Sequence, residues 1–178
     1  PSGRLIQRTY SDVADYYKDL TKDNREAEDS TLAEKPIFYT KKGRKVYGGG
    51  GITPDIFSEQ DLEFSKSTME VLSHSDRLTF KYASILKSNI QKKYNNYGNF
   101  WKTYKIDEQG GKEFFQWLKQ QNIEFSEDEL KEDWDYIENR ILAEIASSIW
   151  GKEYLYKHRL TQDVQAQEAL NHFNKARE

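Results

Sequence analysis

From Ser58 onward, the apolar residues of this chain recur three or four positions apart, which is the spacing of amphipathic α-helices. A Ser126–Glu129 pair fits a capping box, and Gly151 fits a helix C-cap. Together these signals predict a helix of about six turns over residues 127–150. The longest apolar stripe of the chain lies in this predicted helix and is formed by Leu130, Trp134, Ile137, Ile141, Ile145 and Ile149.

Four further helices are predicted in residues 58–178 from the same spacing. They are expected to begin after the capping residues Ser58, Asp76 and Asp107 and near Thr161. Gly98 and Asn122 are predicted to end the second and third of the five helices. The last helix is expected to bury Ala166, Leu170 and Phe173, and the first to bury Leu62, Met69 and Leu72. We therefore expect a mainly α fold with a C-terminal bundle of about five helices.

Residues 1–57 have a different pattern, with short β-branched and aromatic runs between polar segments. Strands are predicted over residues 4–8, 37–40 and 45–47, and the last two are expected to form a short β-hairpin. Gly43 lies in the turn between them, where a positive φ is needed. Residues 11–35 form a polar insert with one amphipathic piece near residues 13–20. The sequence thus predicts two parts, residues 1–57 and residues 58–178.

Composition excludes several classes of function. The 178 residues carry a net charge of −3, which gives no electrostatic case for nucleic acid. The hairpin segments are locally basic, but the net acidity and the acidic insert beside them argue against a nucleic-acid grip. No apolar run approaches the length of a membrane span. The absence of cysteine excludes disulfides and thiolate metal sites.

Serine and lysine occur together twice, but neither pair fits a catalytic motif. Ser84 and Lys87 match a Ser-x-x-Lys pattern, yet the Ser-Asp-Asn and Lys-Thr-Gly motifs that accompany it are missing. Lys152 follows the serines at 147 and 148 at a predicted helix end, where a cation favours the helix dipole. We therefore predict no catalytic residue and no cofactor-binding residue in this chain.

The histidines and the acidic insert predict no metal site. His74, His158 and His172 show no ligand spacing, and His158 and His172 are expected on the surface. The acidic insert lacks the alternating Asp/Asn ladder and the central glycine of a calcium loop. A solvated loop is therefore the preferred interpretation of residues 11–35.

Two glycine-containing segments carry a resemblance to a known family. Residues 1–8 read PSGRLIQR, and residues 43–55 read GRKVYGGGGITPD. Both are similar to segments that close the peptidase core of the carboxyl-terminal processing (tail-specific) serine peptidases, above all the Bacteroidetes-type members. Residues 145–151, 163–165 and 169–170 are also similar to the helical tail of those members.

The resemblance implies that the chemistry lies outside this chain. The family's nucleophilic serine, general-base lysine and PDZ domain all lie upstream of the first matching segment, and no residue here matches the dyad. We expect a C-terminal part of a Ser-Lys serine endopeptidase, with residues 1–57 ending the peptidase core and residues 58–178 forming an accessory helical domain. The parent would be a hydrolase, and the fragment alone would be inactive.

The resemblance also implies partners and a location. The helices are expected to pack against the upstream PDZ domain and peptidase core of the same parent chain, or to bind a protein adaptor or another copy. The parent is expected in the periplasm or cell envelope of a Gram-negative bacterium. The alternative is a freestanding helical protein–protein interaction module without an enzymatic parent.

Overall fold

The computed structural model describes residues 36–48 and 62–177, together with the isolated positions 3, 5, 6, 13, 14, 56 and 58. The chain divides into two compact units, Pro1–Phe57 and Ser58–Glu178. The boundary lies where the sequence pattern changes from short strands to helices. The strand predicted over residues 4–8 and the amphipathic piece near residues 13–20 lie outside the described residues, apart from those isolated positions.

The described part of the first unit is an antiparallel hairpin of β1 (Ile37–Tyr39) and β2 (Lys45–Tyr47). Phe38 pairs with Val46 at the centre of the register. Gly43 takes a φ of +80° in the turn, as predicted. After β2, a Cβ on Gly48 would lie 2.6 Å from the Phe38 ring, so the backbone and the ring can approach only because Gly48 has no side chain.

Residues 62–177 are mainly helical, which confirms the predicted fold class of helices preceded by a short hairpin. The eight α-helices described there are α1 (Lys66–Ser73), α2 (Leu78–Lys93), α3 (Tyr97–Thr103), α4 (Glu108–Gln120), α5 (Glu127–Glu132), α6 (Trp134–Trp150), α7 (Lys152–Arg159) and α8 (Val164–Asn171). A single 3₁₀ turn, Lys175–Arg177, follows α8. None of these helices is long and apolar enough to cross a membrane.

The helices outnumber the five expected because local breaks divide the apolar stripes. Asp133 separates α5 from α6, although the stripe continues across both. Tyr94 is extended and Asn96 caps α3, so Gly98 lies inside a helix and the prediction that it ends one was wrong. Near the C-terminus, Asp163 caps a separate α8 by accepting a hydrogen bond from Ala166 N–H at 2.8 Å.

Two burial predictions at the ends of the helical unit were wrong. Helix α1 begins at Lys66, not after Ser58, because Ser65 Oγ accepts the hydrogen bond of Thr68 N–H at 3.2 Å. Its buried side chains include Thr68 and Val71, and Met69 is exposed. In the last helix, Leu170 is 63% exposed, and none of the residues of α8 is buried. Leu62 and Phe173 are exposed as well.

Helix α6 lies at the centre of the core, where Ile137, Ile141 and Ile145 are fully buried. It packs against α2 and α7. Two groups of aromatic rings extend this core. One contains Tyr82, Phe114, Phe115, Trp117, Phe125 and Trp134, and the other contains Tyr94, Tyr97, Phe100, Trp101, Tyr104, Trp150 and Tyr154.

Candidate functional site

A cleft of about 650 Å³ opens between one side of α1 and the loop that joins α4 to α5. Its volume lies within the range of about 300–1,000 Å³ that is usual for ligand sites. The lining residues come from these two segments and from the start of α5: Lys66, Ser67, Glu70, His74, Asn122, Ile123, Glu124, Phe125, Ser126 and Glu129.

Three hydrogen bonds fix the start of α1 against α5. Ser67 N–H donates to Glu129 Oε2 at 3.0 Å, and Ser126 N–H donates to Ser67 Oγ at 2.8 Å. Ser65 N–H donates to Asp133 Oδ2 at 3.2 Å. The first N–H groups of a helix lack partners within the helix, and its N-terminus favours negative charge. The two carboxylates therefore satisfy and stabilise the N-terminus of α1, and this holds one wall of the cleft in place.

The opposite wall begins with a Schellman motif at the end of α4. Asn122 adopts a left-handed conformation with a φ of 57°. Its N–H donates to the carbonyl of Lys119, and Ile123 N–H donates to the carbonyl of Leu118 at 3.1 Å. The prediction that Asn122 ends this helix was therefore correct. The motif turns the chain sharply and directs residues 123–126 along the cleft.

Residues 123–126 run without helical or turn structure and alternate like a strand. Ile123 and Phe125 are partly buried and pack against the core, and Glu124 is exposed. The centroid of the Phe125 ring lies 6.0 Å from that of Phe115. Within residues 62–177, no hydrogen bond involves the backbone N–H or C=O of Glu124 or Phe125. The backbone groups of these two residues are therefore unpaired in that part of the chain.

The charges around the cleft are mostly negative. Glu70, Glu124 and Glu129 line it together with a single cation, Lys66. Hydrogen bonds from the Ser67 side chain and backbone hold the pKa of Glu129 below its usual value. Glu129 is therefore ionised at neutral pH.

His74 closes one end of the cleft. Its Nδ1 accepts a hydrogen bond from Asp76 N–H at 3.1 Å, which assigns the proton of the neutral ring to Nε2. That nitrogen lies 3.8 Å from Glu70 Oε1. The imidazole is thereby oriented with its N–H toward a carboxylate of the same helix face.

Two of the serines considered above donate to the backbone of their own helices. Ser84 is exposed and donates its hydroxyl hydrogen to the carbonyl of Phe80 at 2.9 Å. Ser148 donates in the same way to the carbonyl of Glu144, one turn earlier in α6. Gly151 separates Ser148 from Lys152, which is exposed in the first turn of α7.

His158 is buried, which contradicts the prediction that it lies on the surface. Only 4% of its surface is exposed, and its ring lies against Tyr97, Phe100 and Trp101. Burial, with a smaller effect from the Lys157 charge, lowers the pKa of His158 to about 4. In the described residues, no group of three or more His, Asp or Glu residues could hold a metal ion.

Sequence reasoning missed the cleft as a site. Two of its signals were visible, namely the helix end at Asn122 and the Ser126–Glu129 pair. Ser126 does cap α5, since its Oγ accepts the hydrogen bond of Glu129 N–H at 3.4 Å. The Glu129 carboxylate, however, bonds to Ser67 rather than back to Ser126 as a capping box requires. A pairing across 62 positions leaves no local signal in the sequence.

Residues 74–151 match the model of a family of unknown function, DUF8443. The match covers less than half of the chain and extends from the end of α1 to the end of α6, including the loop that borders the cleft. No curated protein and no solved structure matches the chain.

Proposed function

We propose that this chain is the C-terminal part of a carboxyl-terminal processing serine peptidase and that its helical unit is an accessory domain that binds protein. In this proposal the catalytic serine and lysine belong to an upstream core, and the helices contact substrate, adaptor or core. The parent enzyme acts in the periplasm or cell envelope. The single structural observation that carries the binding role is the open cleft beside α1.

The parentage is supported by the sequence of two segments. Residues 1–8 and 43–55 are similar to the segments that close the peptidase core in this family. The hairpin is compatible with such an origin, because β1 pairs only with β2 among the described residues. A two-stranded hairpin is marginally stable by itself, so further strands, such as those of an upstream core, would stabilise it.

The binding role is supported by the helical unit itself. Its hydrophobic core draws on α1 to α7, so the unit has the interior of a folded domain. The cleft adds a concave surface with open backbone groups and an unbalanced charge. Concave sites with a few convergent polar groups are where ligands usually bind.

The experiment begins with the coding sequence upstream of the codon for Pro1. We expect a PDZ domain and a peptidase core with a serine and a downstream lysine. The encoded full protein should hydrolyse a peptide substrate, and replacing that serine by alanine should abolish the activity. Residues 1–178 alone should not hydrolyse peptide above a blank. An upstream sequence without a peptidase core would refute the parentage.

A freestanding interaction module is the second candidate. The matched region, residues 74–151, lies entirely within the helical unit and contains neither of the two glycine-containing segments with peptidase resemblance, although it includes residues 145–151 of the similar helical tail. A helical region that occurs apart from peptidase segments would be an independent binding domain. A start codon directly before Pro1 would favour this function over the first.

A further inference from the structure

We propose that the cleft between α1 and residues 121–126 binds an extended peptide segment that carries a basic side chain. This proposal rests on the part of the proposed function in which the helical unit binds protein. It adds the chemical class of the bound segment. Its occupant is a strand-like stretch of another protein, held by backbone hydrogen bonds and by carboxylates.

The backbone of the loop is suited to pairing with an extended peptide. Residues 123–126 alternate between partly buried and exposed side chains, as a strand does. The N–H and C=O groups of Glu124 and Phe125 make no hydrogen bond in residues 62–177. In an extended segment the groups of these two residues point to opposite edges, so a peptide laid along one edge can pair with one of them. Such pairing gives main-chain hydrogen bonds, which is the mode known as strand addition.

The loop is also held in its extended form before any peptide binds. The Schellman motif at Asn122 fixes its first end, and the bond from Ser126 N–H to Ser67 Oγ fixes its second end. Ile123 and Phe125 anchor the middle against the core. A binding segment that is already ordered loses less conformational entropy when the ligand arrives.

The charge of the cleft selects the side chain of the occupant. Three glutamates, Glu70, Glu124 and Glu129, line the cleft, and Lys66 is the only lysine or arginine among the lining residues. Glu129 accepts the hydrogen bond of Ser67 N–H with Oε2, and its charge adds to that of the other two carboxylates. A lysine or arginine side chain complements this surface, whereas an acidic side chain would be repelled.

The test uses residues 1–178 and two fluorescein-labelled pentapeptide mixtures. Both are randomised around a central residue, which is lysine in one mixture and glutamate in the other. Fluorescence polarisation at low ionic strength should show that the lysine mixture binds roughly three- to tenfold more tightly, the effect of two or three exposed charge pairs. The difference should shrink at high salt, because salt screens such pairs.

Two variants locate the binding. Glu124→Lys should remove or reverse the preference for lysine, since it inverts a charge on the cleft wall. Glu113→Lys makes the same charge change at an exposed position of α4 that does not line the cleft, and it should keep the preference. Matching circular dichroism spectra of the two variants would show that both are folded. An unchanged preference in Glu124→Lys, or no binding of either mixture to the unsubstituted chain, would overturn the proposal.

Backbone pairing is tested separately with peptides of one binding sequence selected from the lysine mixture. Methylation of alternate backbone nitrogens removes the N–H groups of one edge, and two such peptides cover both edges. At least one should bind about tenfold more weakly, because it loses main-chain hydrogen bonds. If both methylated peptides bound as tightly as the unmethylated peptide, strand addition would be excluded. The upstream coding sequence tests the peptidase parentage independently, so either proposal can fail alone.

Discussion

His158 lies in α7 with its ring enclosed by the rings of Tyr97, Phe100 and Trp101. Its Nε2 and the Tyr97 hydroxyl are both buried, and neither has a hydrogen-bond partner in the described structure. A buried polar atom without a partner costs free energy, and a buried charge costs more. The neutral ring is therefore the form that this environment tolerates.

The first prediction concerns the pH dependence that His158 causes. Its folded pKa, about 4, lies below the value of 6.5 for an unfolded histidine, so the unfolded chain takes up the proton first as the pH falls. We expect the free energy of unfolding to decrease between pH 6.5 and pH 5 by at most about 1.4 kcal/mol per pH unit from this group. Urea unfolding at several pH values measures the slope.

The matched variants for this prediction are His158→Phe and His172→Gln. The phenylalanine variant should lose the slope that is due to His158. The glutamine variant removes a histidine that is paired on the surface with Glu168, 2.8 Å away, and should keep the slope that is due to His158. An unchanged slope in His158→Phe would assign the pH dependence to other groups.

The second prediction concerns Glu138, whose Oε1 accepts the hydrogen bond of Ile106 N–H at 2.6 Å. Burial raises the pKa of this carboxyl, and the bond from Ile106 partly offsets that effect. Glu138→Gln keeps an acceptor oxygen without the charge, so we expect little loss of stability. Glu138→Ala leaves the N–H unsatisfied and should cost about 1–3 kcal/mol in urea unfolding. Equal losses in both variants would show that the acceptor does not matter.

At the scale of elements, the sequence predicted those features that depend on neighbours within one turn. Asp107 caps α4 by accepting a hydrogen bond from Gly110 N–H, and Ser126 caps α5, as their positions before helical stripes indicated. The break at Asp133 was missed because the apolar stripe runs through it unchanged. The exposure of Leu170 was missed because periodicity shows which face of a helix is apolar but not whether anything covers it.

The third prediction uses two glycines in opposite environments. Gly151 joins α6 to α7 with a φ of +130°, and a Cβ there would lie 2.6 Å from Glu153 Oε2. Gly151→Ala should therefore destabilise the fold by about 1–3 kcal/mol. Gly98 lies in α3 with room for a methyl group, so Gly98→Ala should stabilise it by about 0.5–1 kcal/mol. Urea unfolding of both variants gives the two signs, and a loss in Gly98→Ala would contradict this account.

At the scale of the whole molecule, the sequence predicted a mainly helical fold but not the cleft. The walls of the cleft come from segments about 60 positions apart, and they meet through the bonds of Ser67 to Glu129 and Ser126. Each of these residues has an ordinary local role, either in the first turn of a helix or as its cap. A site that tertiary packing assembles from such residues has no sequence motif to reveal it.

The last prediction is that residues 58–178 fold without residues 1–57. Every buried residue of the main hydrophobic core lies at or after Val71, and the chain divides into compact units at Phe57. Because stability depends chiefly on buried apolar surface, residues 58–178 should unfold at the same urea concentration as residues 1–178.

A shorter chain that ends at Trp150 provides the contrast for this prediction. It lacks α7 and α8, and with them the rings of Tyr154 and His158 that pack on Tyr97. It also loses Arg159, whose guanidinium lies 3.2 Å from the buried Glu144 carboxylate. We expect it to be less stable by at least about 3 kcal/mol, since rings that pack on the core and the ion-pair partner of a buried carboxylate are removed together. If residues 58–178 instead lost cooperative unfolding, the helical core would depend on the first 57 residues, and the two units would form one folding domain.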